Sequence, residues 1–318
     1  MPWERFSRVR VSRWSVGNVV DVTNTISAPF GHLATAMITP FASSGEVDHE
    51  TAWRLARYLS DQGTDTLVVT GTTGESPTLS DDEKIALYRT VVEAVKEKDA
   101  GVVAGTGTYD TARSVEMTHR AEETGVDGVL AVTPYYSKPS QTGLVAHFTA
   151  IADVGVPVML YNIPGRTGSL IELETLATLS THPGVVAVKD AVLDLEFTSA
   201  TIQRVPSLPI YSGQDTFTLP MLAVGAVGVV SVVAHLAGRV IKAMISAAQS
   251  DDWPEARRLH NDLMPLCEAC FLETNPTPVK GAMNSFWEPV GDVRLPLVNA
   301  STDTLAAIEK ALGALQGL

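Results

Sequence analysis

The sequence has few cysteines, few aromatic residues and a deficit of positive charge. Its 318 residues include only two cysteines, and 6% of them are aromatic. Scarce cysteine is typical of proteins kept in a reducing compartment, so we expect a cytoplasmic protein. The formal net charge of −13 argues against binding to nucleic acid. No apolar run reaches the roughly 18 residues that a membrane span needs, so we expect no association with a membrane.

The usual nucleotide and metal motifs are also missing from the sequence. No Gly-x-Gly-x-x-Gly turn and no Gly-Lys-Ser/Thr phosphate loop occurs. The histidines are scattered, and none clusters with other ligands at a predicted strand end. Cys267 and Cys270 have C-x-x-C spacing, but no second Cys/His pair is nearby, so core packing is favoured over a metal or redox site. We therefore expect no cofactor and no metal.

The chain contains a repeated alternation of apolar runs with amphipathic stretches. Strands that alternate with helices form βαβ units and a parallel sheet. Eight such units predict a closed (β/α)8 TIM barrel, and an open doubly wound sheet is the alternative. The predicted strands are Leu33–Phe41, Thr66–Gly71, Gly101–Gly107, Gly128–Pro134, Pro157–Pro164, Val185–Ala191, Pro209–Asp215 and Gly228–Leu236.

The same pattern predicts three segments in the chain. Residues 1–30 begin with an arginine-rich stretch that lacks the apolar core of a secretory signal, and we interpret them as a disordered extension or as an early start codon. Residues 31–251 form the predicted catalytic barrel. In residues 252–318 the strand pattern stops, which predicts a small C-terminal domain of three helices whose default role is packing or assembly.

Lys189 stands out because it follows directly on the apolar run Val185–Val188. Such a run is typical of a buried strand in a parallel sheet. Burial disfavours a charged ammonium, and the neutral amine that results is the nucleophile that forms a Schiff base with a carbonyl compound. The alternative is a lysine just past the strand whose amine reaches water. The other seven lysines all lie on predicted helices or loops.

Polar residues follow several other predicted strands, at the end of a barrel where active sites are built. Thr72 and Thr73 lie between glycines and form either a small anion site or a tight turn. Tyr161 ends the fifth strand, and Arg166 follows on a loop rich in proline and glycine. That arginine is suited to grip a carboxylate, with a surface ion pair as the alternative. Gly213 after the seventh strand either admits a ligand close to the backbone or stabilises the fold.

Five motifs, in this order and spacing, resemble the dihydrodipicolinate synthase family. That family belongs to the pyruvate-dependent class I aldolase-like superfamily, which includes N-acetylneuraminate lyase. The resemblance runs from about His32 to the C-terminus. The motifs are Gly-Thr-Thr-Gly-Glu-Ser at 71–76, Thr-Pro-Tyr-Tyr at 133–136, Tyr-Asn-Ile-Pro-Gly-Arg-Thr-Gly at 161–168, Val-Lys-Asp at 188–190 and Asn-Pro-Thr-Pro-Val-Lys at 275–280.

The resemblance implies a reaction and a catalytic set. The enzyme would be a lyase that condenses pyruvate with L-aspartate-4-semialdehyde to give 4-hydroxy-tetrahydrodipicolinate, a step of lysine and diaminopimelate biosynthesis. Lys189 would form an imine with pyruvate. Tyr161 would be the general acid and base, in a hydroxyl relay with Thr72 and with Tyr136 from a neighbouring subunit. The family is usually a homotetramer, organised as a dimer of dimers.

The resemblance also implies how the substrates are bound. Thr73 would hold the carboxylate of pyruvate, and Arg166 would hold that of the semialdehyde. Backbone carbonyl groups near Gly213 and Val230 would line the lysine pocket. Relatives that act on sugar acids or on hydroxy-oxo acids generally lack the Gly-Arg-Thr-Gly pattern around Arg166.

The chain departs from the family at Gln214, where an acidic residue is common, and at Val192-Leu193. Some members bind lysine as an inhibitor between subunits, and the matching positions here are Asp81, Lys84, Tyr109 and Arg113. Cationic side chains at two of these positions would repel the ammonium of lysine, so we expect weak or no inhibition. Two alternatives remain open: an aldolase for another 2-oxo acid, and a non-catalytic barrel that binds a metabolite.

Overall fold

A closed barrel of eight parallel strands forms the centre of the molecule, in a computed structural model that describes residues 27–316. Each strand pairs with the next along the chain, and the last pairs with the first, which confirms the predicted barrel. The strands are β1 Leu33–Ala36, β2 Thr66–Val69, β3 Gly101–Gly105, β4 Gly128–Val132, β5 Val158–Asn162, β6 Val185–Asp190, β7 Ile210–Ser212 and β8 Gly228–Ser231. The predicted disorder of the N-terminal extension concerns residues that lie mostly outside the described part of the chain.

Helices follow the strands and surround the barrel. The first strand is followed by α1 His49–Asp61, and the second by α2 Asp81–Val95. The remaining helices are α3 Thr111–Glu122, α4 Gln141–Ala152, α5 Pro164–Thr167, α6 Leu173–Leu179, α7 Leu195–Arg204, α8 Thr218–Ala223, α9 Ala234–Gln249, α10 Trp253–Ala269, α11 Thr277–Phe286 and α12 Thr302–Gln316.

Local sequence signals explain where these helices begin. Ser80 and Glu83 form a capping box at the start of α2, because each side chain accepts a hydrogen bond from the other residue's backbone N–H. The side chain of Asp48 caps α1, and that of Asp110 caps α3. Gly63, which has a φ of 97°, ends the turn after α1 in the left-handed region that glycine tolerates best.

Two apolar layers make up the core of the barrel. The larger layer lies between the strands and the helices around them. The smaller one fills the interior of the barrel, where side chains of the strands meet one another. Phe30 belongs to this interior layer at 4% exposure, and its backbone N–H donates to the Tyr211 hydroxyl over 3.1 Å.

The last three helices pack against one side of the barrel. Helix α10 lies along α9, and α12 lies along α10. Their apolar side chains share one cluster with α9 and with the first and last strands. Cys267 and Cys270 are buried free thiols in this cluster, as the predicted core role requires. The boundary at residue 252 stays a prediction, since the C-terminal helices and the barrel share this core.

The structure differs from the sequence prediction at several element ends. Strand β1 ends at Ala36, not Phe41, because the following residues bond to the second strand only through Met37. The loop that carries Arg166 contains the short helix α5. The eighth strand ends at Ser231, not Leu236, because helix α9 already begins at Ala234, with a kink at Ala237. No helix among the described residues is long and apolar enough to cross a membrane.

Candidate active site

Lys189 lies on β6, one residue before the strand ends. It pairs in register with Tyr161 on β5 and with Tyr211 on β7. The side chain is buried at 5% exposure, and its Nζ lies 4.1 Å from the centroid of the Tyr161 ring. Within residues 27–316, no carboxylate forms an ion pair with this amine. Lys189 is therefore an inward-facing strand residue and not a lysine that extends into solvent.

A cavity of about 220 Å³ opens next to this pair of residues, at the carboxyl ends of the strands. Thr72, Tyr161 and Arg166 all line it, together with Tyr135. Lys189 and Thr73 are not among its lining residues, and both are buried, at 5% and 2% exposure. The cavity is small enough for a compact organic acid and brings an aromatic hydroxyl, an aliphatic hydroxyl and a guanidinium to one space.

The loop from Gly71 to Ser76 presents the two threonines in a strained conformation. Thr70 and Glu75, at its two ends, both have a φ of 55°, which non-glycine residues rarely adopt. A Cβ at Gly74 would lie 2.9 Å from the Thr70 backbone, so this position has room only for glycine. The Thr70 hydroxyl lies 2.7 Å from the buried Tyr88 hydroxyl, which ties the start of the loop to α2.

Arg166 lies on α5, a single turn that its neighbours hold in place. The Asn162 side chain bridges the two ends of this loop, because its amide donates to the Ile171 carbonyl over 3.1 Å and accepts from the Ile171 N–H over 3.0 Å. The Thr167 hydroxyl donates to the Ile163 carbonyl. Arg166 itself is exposed and forms no ion pair with any described residue, so its guanidinium can accept a carboxylate.

Tyr136 does not reach the cavity of its own chain. Its side chain is 93% exposed, and its φ is 68°, so the backbone is held in the left-handed region at this position. The preceding residue, Tyr135, lines the cavity and packs edge-on against Tyr109, with ring centroids 5.3 Å apart. The structure thus separates Tyr136 from the other residues of the predicted relay.

Gly213 directly follows β7, and Val230 lies on β8. The Gly213 N–H donates to the Asp190 carbonyl over 2.7 Å, and a Cβ at this glycine would lie 2.8 Å from the Cβ of Ala191. The close approach of β6 to the end of β7 therefore requires glycine. Val230 is 1% exposed and belongs to the interior layer of the barrel together with Tyr161.

Two buried carboxylates near Lys189 were not singled out from the sequence. Asp215 accepts hydrogen bonds from the Ser231 hydroxyl and from the Val232 N–H, and burial raises the pKa of its carboxyl while the charge of Lys189 opposes this. Burial likewise raises the pKa of Asp190, which accepts from the Thr198 hydroxyl over 3.0 Å. Asp215 holds the turn before α9, and its position at the end of the predicted seventh strand was the available sequence signal.

The C-terminal domain also contacts the loop that carries the threonines. The Asn275 amide donates to the Thr73 hydroxyl over 3.0 Å, and the Lys280 amine bonds to Glu75 over 2.7 Å. The Lys280 and Glu75 side chains are each 1% exposed. Neither Asn275 nor Lys280 was predicted to have a role in the site, although both belong to one of the five motifs.

Histidine, cysteine and carboxylate side chains are the usual metal ligands in proteins. No group of three or more histidine, cysteine, aspartate or glutamate side chains there could hold a metal ion. Burial raises the pKa of both Cys267 and Cys270, which makes them poor thiolate ligands.

Comparisons with known proteins agree with this geometry. The model of the dihydrodipicolinate synthetase family matches residues 29–315. The 4-hydroxy-tetrahydrodipicolinate synthase of Heliobacterium modesticaldum is 48% identical over 285 residues, which cover 89% of this chain and 95% of that protein. The protein of the same name from Synechococcus elongatus is 50% identical over 287 residues, which cover 89% of this chain and 96% of the relative.

Solved structures give the same result. The DHDPS of Cyanidioschyzon merolae, solved with lysine bound, superposes with a TM-score of 0.89 at 41% identity and covers 92% of this chain and 100% of that one. A chloride-inhibited dihydrodipicolinate synthase from Acinetobacter baumannii, complexed with pyruvate, gives a TM-score of 0.87 at 33% identity, with 91% and 100% covered. The chain therefore belongs to the dihydrodipicolinate synthetase family.

Proposed function

We propose that this chain condenses pyruvate with L-aspartate-4-semialdehyde to give 4-hydroxy-tetrahydrodipicolinate, in the lysine and diaminopimelate pathway of the cytoplasm. Two relatives that are about half identical to this chain, over nearly their whole length, are named 4-hydroxy-tetrahydrodipicolinate synthase. The observation that carries the proposal is the buried Lys189 amine beside the Tyr161 ring, next to a cavity that Thr72 and Arg166 line.

The reaction begins at the amine of Lys189. The amine attacks C2 of pyruvate, and water leaves as the imine forms. Loss of a proton from C3 gives the enamine, whose carbon attacks the aldehyde carbon of the second substrate. The amino group of that substrate then attacks the imine carbon, closes the ring and displaces Lys189.

Hydroxyl groups would move the protons of these steps. Tyr161 is the proposed general acid and base, because its ring lies against Lys189 and its side chain lines the cavity. Thr72 lines the same cavity and would link Tyr161 to Tyr136 of a neighbouring subunit. Carbonyl groups at Gly213 and Val230 would complete the lysine pocket.

Two separate groups would bind the two carboxylates. Thr73 and the N–H groups of its loop would hold the carboxylate of pyruvate, close to the imine. Arg166 would hold that of the semialdehyde from the outer wall of the cavity, where a guanidinium can bind it through two hydrogen bonds. This division places the specificity for the second substrate on the α5 loop.

Borohydride trapping tests the imine directly. Incubation with pyruvate and borohydride should add one pyruvate-derived group per chain, and peptide mapping should place it on Lys189. The Lys189→Ala variant should trap nothing, whereas Lys138→Ala should trap pyruvate normally. An adduct on any other residue, or none in the wild type, would exclude the proposed mechanism.

The Arg166→Ala variant distinguishes this function from that of an aldolase for another 2-oxo acid. It should lose condensation with L-aspartate-4-semialdehyde and should still trap pyruvate on Lys189. Arg204→Ala is the matched control, since that arginine is an exposed surface residue paired with Glu174. Equal activity of Arg166→Ala and the wild type with the semialdehyde, or higher wild-type activity with another aldehyde, would favour the related aldolase.

We further propose a homotetramer, organised as a dimer of dimers, in which Tyr136 completes the site of a neighbouring subunit. The nearly full exposure of Tyr136 and its strained backbone support this arrangement. One similar structure is described as a monomeric dihydrodipicolinate synthase variant, so the oligomeric state of this chain has to be measured. Sedimentation velocity gives the number of subunits.

Hybrid oligomers test whether Tyr136 acts between subunits. Tyr136→Phe and Lys189→Ala chains should each be almost inactive alone. In a co-expressed mixture, a site that keeps Lys189 receives an intact Tyr136 from its partner. With random pairing, about a quarter of wild-type activity should return, because half of the dimers have one complete site. An inactive mixture of folded hybrids would place the Tyr136 function within one chain.

A further inference from the structure

Three contacts from the C-terminal domain hold the Gly71–Ser76 loop from outside the barrel. The Asn275 amide nitrogen donates to the Thr73 hydroxyl over 3.0 Å. The Lys280 amine binds one oxygen of Glu75 over 2.7 Å, and the Arg294 backbone N–H donates to the other over 2.8 Å. The loop is thus fixed at its threonine and at its last strained residue by a segment about two hundred positions later in the chain.

The loop needs such contacts because one of its last residues has a strained backbone. A residue in the left-handed region persists only where its surroundings hold it there, and Glu75 is such a residue. Its carboxylate is fully buried, and both oxygens are bonded to groups of the C-terminal domain. The Thr39 hydroxyl donates to the Gly74 carbonyl over 2.7 Å and supports the loop from the barrel side.

The Asn275 contact sets the polarity of the Thr73 hydroxyl. A hydroxyl has one hydrogen to donate and can accept at its oxygen. Because the Asn275 N–H occupies the oxygen, the hydrogen of Thr73 stays free for another acceptor. A carboxylate is such an acceptor, and it cannot itself donate.

Asn275 is buried beside the loop, and its amide nitrogen faces the Thr73 hydroxyl. The side chain is 6% exposed, and its Oδ1 has no hydrogen-bond donor among the described residues. A buried acceptor without a donor is costly, so this orientation persists at an energetic cost. The contact to Thr73 is the hydrogen bond that the amide does form.

We propose that Asn275 is a positioning residue, which directs the Thr73 hydroxyl hydrogen toward the carboxylate of the 2-oxo acid, while Lys280 holds the loop through Glu75. The proposal rests on the proposed function, since it assumes that Thr73 binds the carboxylate of pyruvate. It assigns the C-terminal helices a part in substrate binding that is separate from packing and assembly.

The Asn275→Asp substitution tests the direction of the hydrogen bond. An aspartate of the same shape can only accept, so it would take the Thr73 hydrogen and turn the oxygen lone pairs toward the substrate. The pyruvate KM should rise about tenfold or more, as expected for the loss of a hydrogen bond to a charged group. The KM for the semialdehyde should stay within about twofold, because Arg166 is untouched.

The new aspartate could also act on the substrate directly through its charge. Repeating the substitution in a Thr73→Val background distinguishes this charge effect from an effect through the Thr73 hydroxyl. If Asn275 acts through the hydroxyl, Asn275→Asp should change the pyruvate KM there by less than about twofold. The Asn275→Ala variant covers the case in which the aspartate prevents folding. It should raise the pyruvate KM about threefold with Thr73 present and should have no effect without it.

Several results would overturn this inference. Wild-type kinetics of Asn275→Asp would mean that Thr73 donates to the amide oxygen. Equal effects in both backgrounds would indicate charge repulsion, and equal changes in both KM values would indicate a purely structural role. If wild-type protein traps no pyruvate on Lys189, the proposed function fails. If it does trap pyruvate and the variants keep its KM, only the role of Asn275 fails.

Discussion

Removal of the Lys280 amine should destabilise the fold strongly, because it leaves a buried charge without its partner. Lys280 and Glu75 are each 1% exposed, and their charged atoms are 2.7 Å apart. The amine also lies 3.9 Å from the centroid of the Phe41 ring. Burial lowers the pKa of Lys280 to about 8, although Glu75 opposes this, so the amine still carries its charge at pH 7.

The magnitude follows from the burial of the pair. The Lys280→Met variant keeps the length of the side chain but leaves the Glu75 carboxylate with a single N–H donor, from Arg294. Breaking one partner of a buried ion pair costs about 3–5 kcal/mol of unfolding free energy. Lys96→Met is the control, since that lysine forms an exposed pair with Glu93, and such pairs contribute about 0–1 kcal/mol.

Urea denaturation of Lys280→Met, of Glu75→Gln and of the double variant Glu75→Gln/Lys280→Met measures this coupling. The double variant should lose much less stability than the sum of the single variants, because the unpaired charge is gone from it. Condensation activity should fall in Lys280→Met even at urea concentrations where it stays folded, since Glu75 fixes the loop that carries Thr72. Additive free energies, or a Lys280→Met variant as stable as Lys96→Met, would refute the reasoning.

Three further changes have definite expected outcomes. Gly74→Ala should lower kcat/KM about a hundredfold, because the new Cβ would lie 2.9 Å from the Thr70 backbone and would displace the loop. Gly313→Ala is the control and should keep wild-type kcat/KM, because a Cβ there meets no atom within 4 Å. Lysine should not inhibit at micromolar concentration, because Lys84 and Arg113 repel its ammonium; micromolar inhibition in the coupled assay would contradict this. Burial lowers the pKa of His147 from 6.5 to about 4, so between these pH values the unfolded chain binds a proton that the folded chain does not. The free energy of unfolding should therefore fall as the pH is lowered from 6.5 to 4, and it should fall less steeply in the His147→Gln variant.

Much of the fold could be predicted because it is encoded locally. Each strand is a short apolar run, several of the following helices begin at a side-chain cap, and eight repeats of that unit leave few ways to close a sheet. The residues at which the strands end were harder to predict from the sequence. The apolar character continues past Ala36 through Met37 and Ile38, both buried, although the ladder has ended there. Burial at this position comes from packing of the loop and not from strand pairing.

The locations of the candidate site residues could be predicted where these residues lie on strands or soon after them. Lys189, Tyr161 and Thr72 are ordered by the barrel, so knowing the strand gives the location of the side chain. The proposed role of Asn275 could not be predicted from the sequence, because it depends on a contact between residues about two hundred positions apart. The one local signal was Lys280 in α11, a lysine that falls among the buried residues of an amphipathic helix.

The eight strands close the barrel without the C-terminal helices, so these helices are not needed to complete the sheet. Their contacts with the Gly71–Ser76 loop suggest another use for them. The Gly71–Ser76 loop has strained residues at both ends, and the barrel side of the molecule ties down the start of it through Tyr88. At the other end, Lys280 and Arg294 hold the Glu75 carboxylate. A helical domain docked at that point keeps the loop rigid without placing any of its own side chains in the cavity. Substrate geometry then depends on the docking of the C-terminal helices, so mutations that loosen this docking should raise the pyruvate KM before they unfold the barrel.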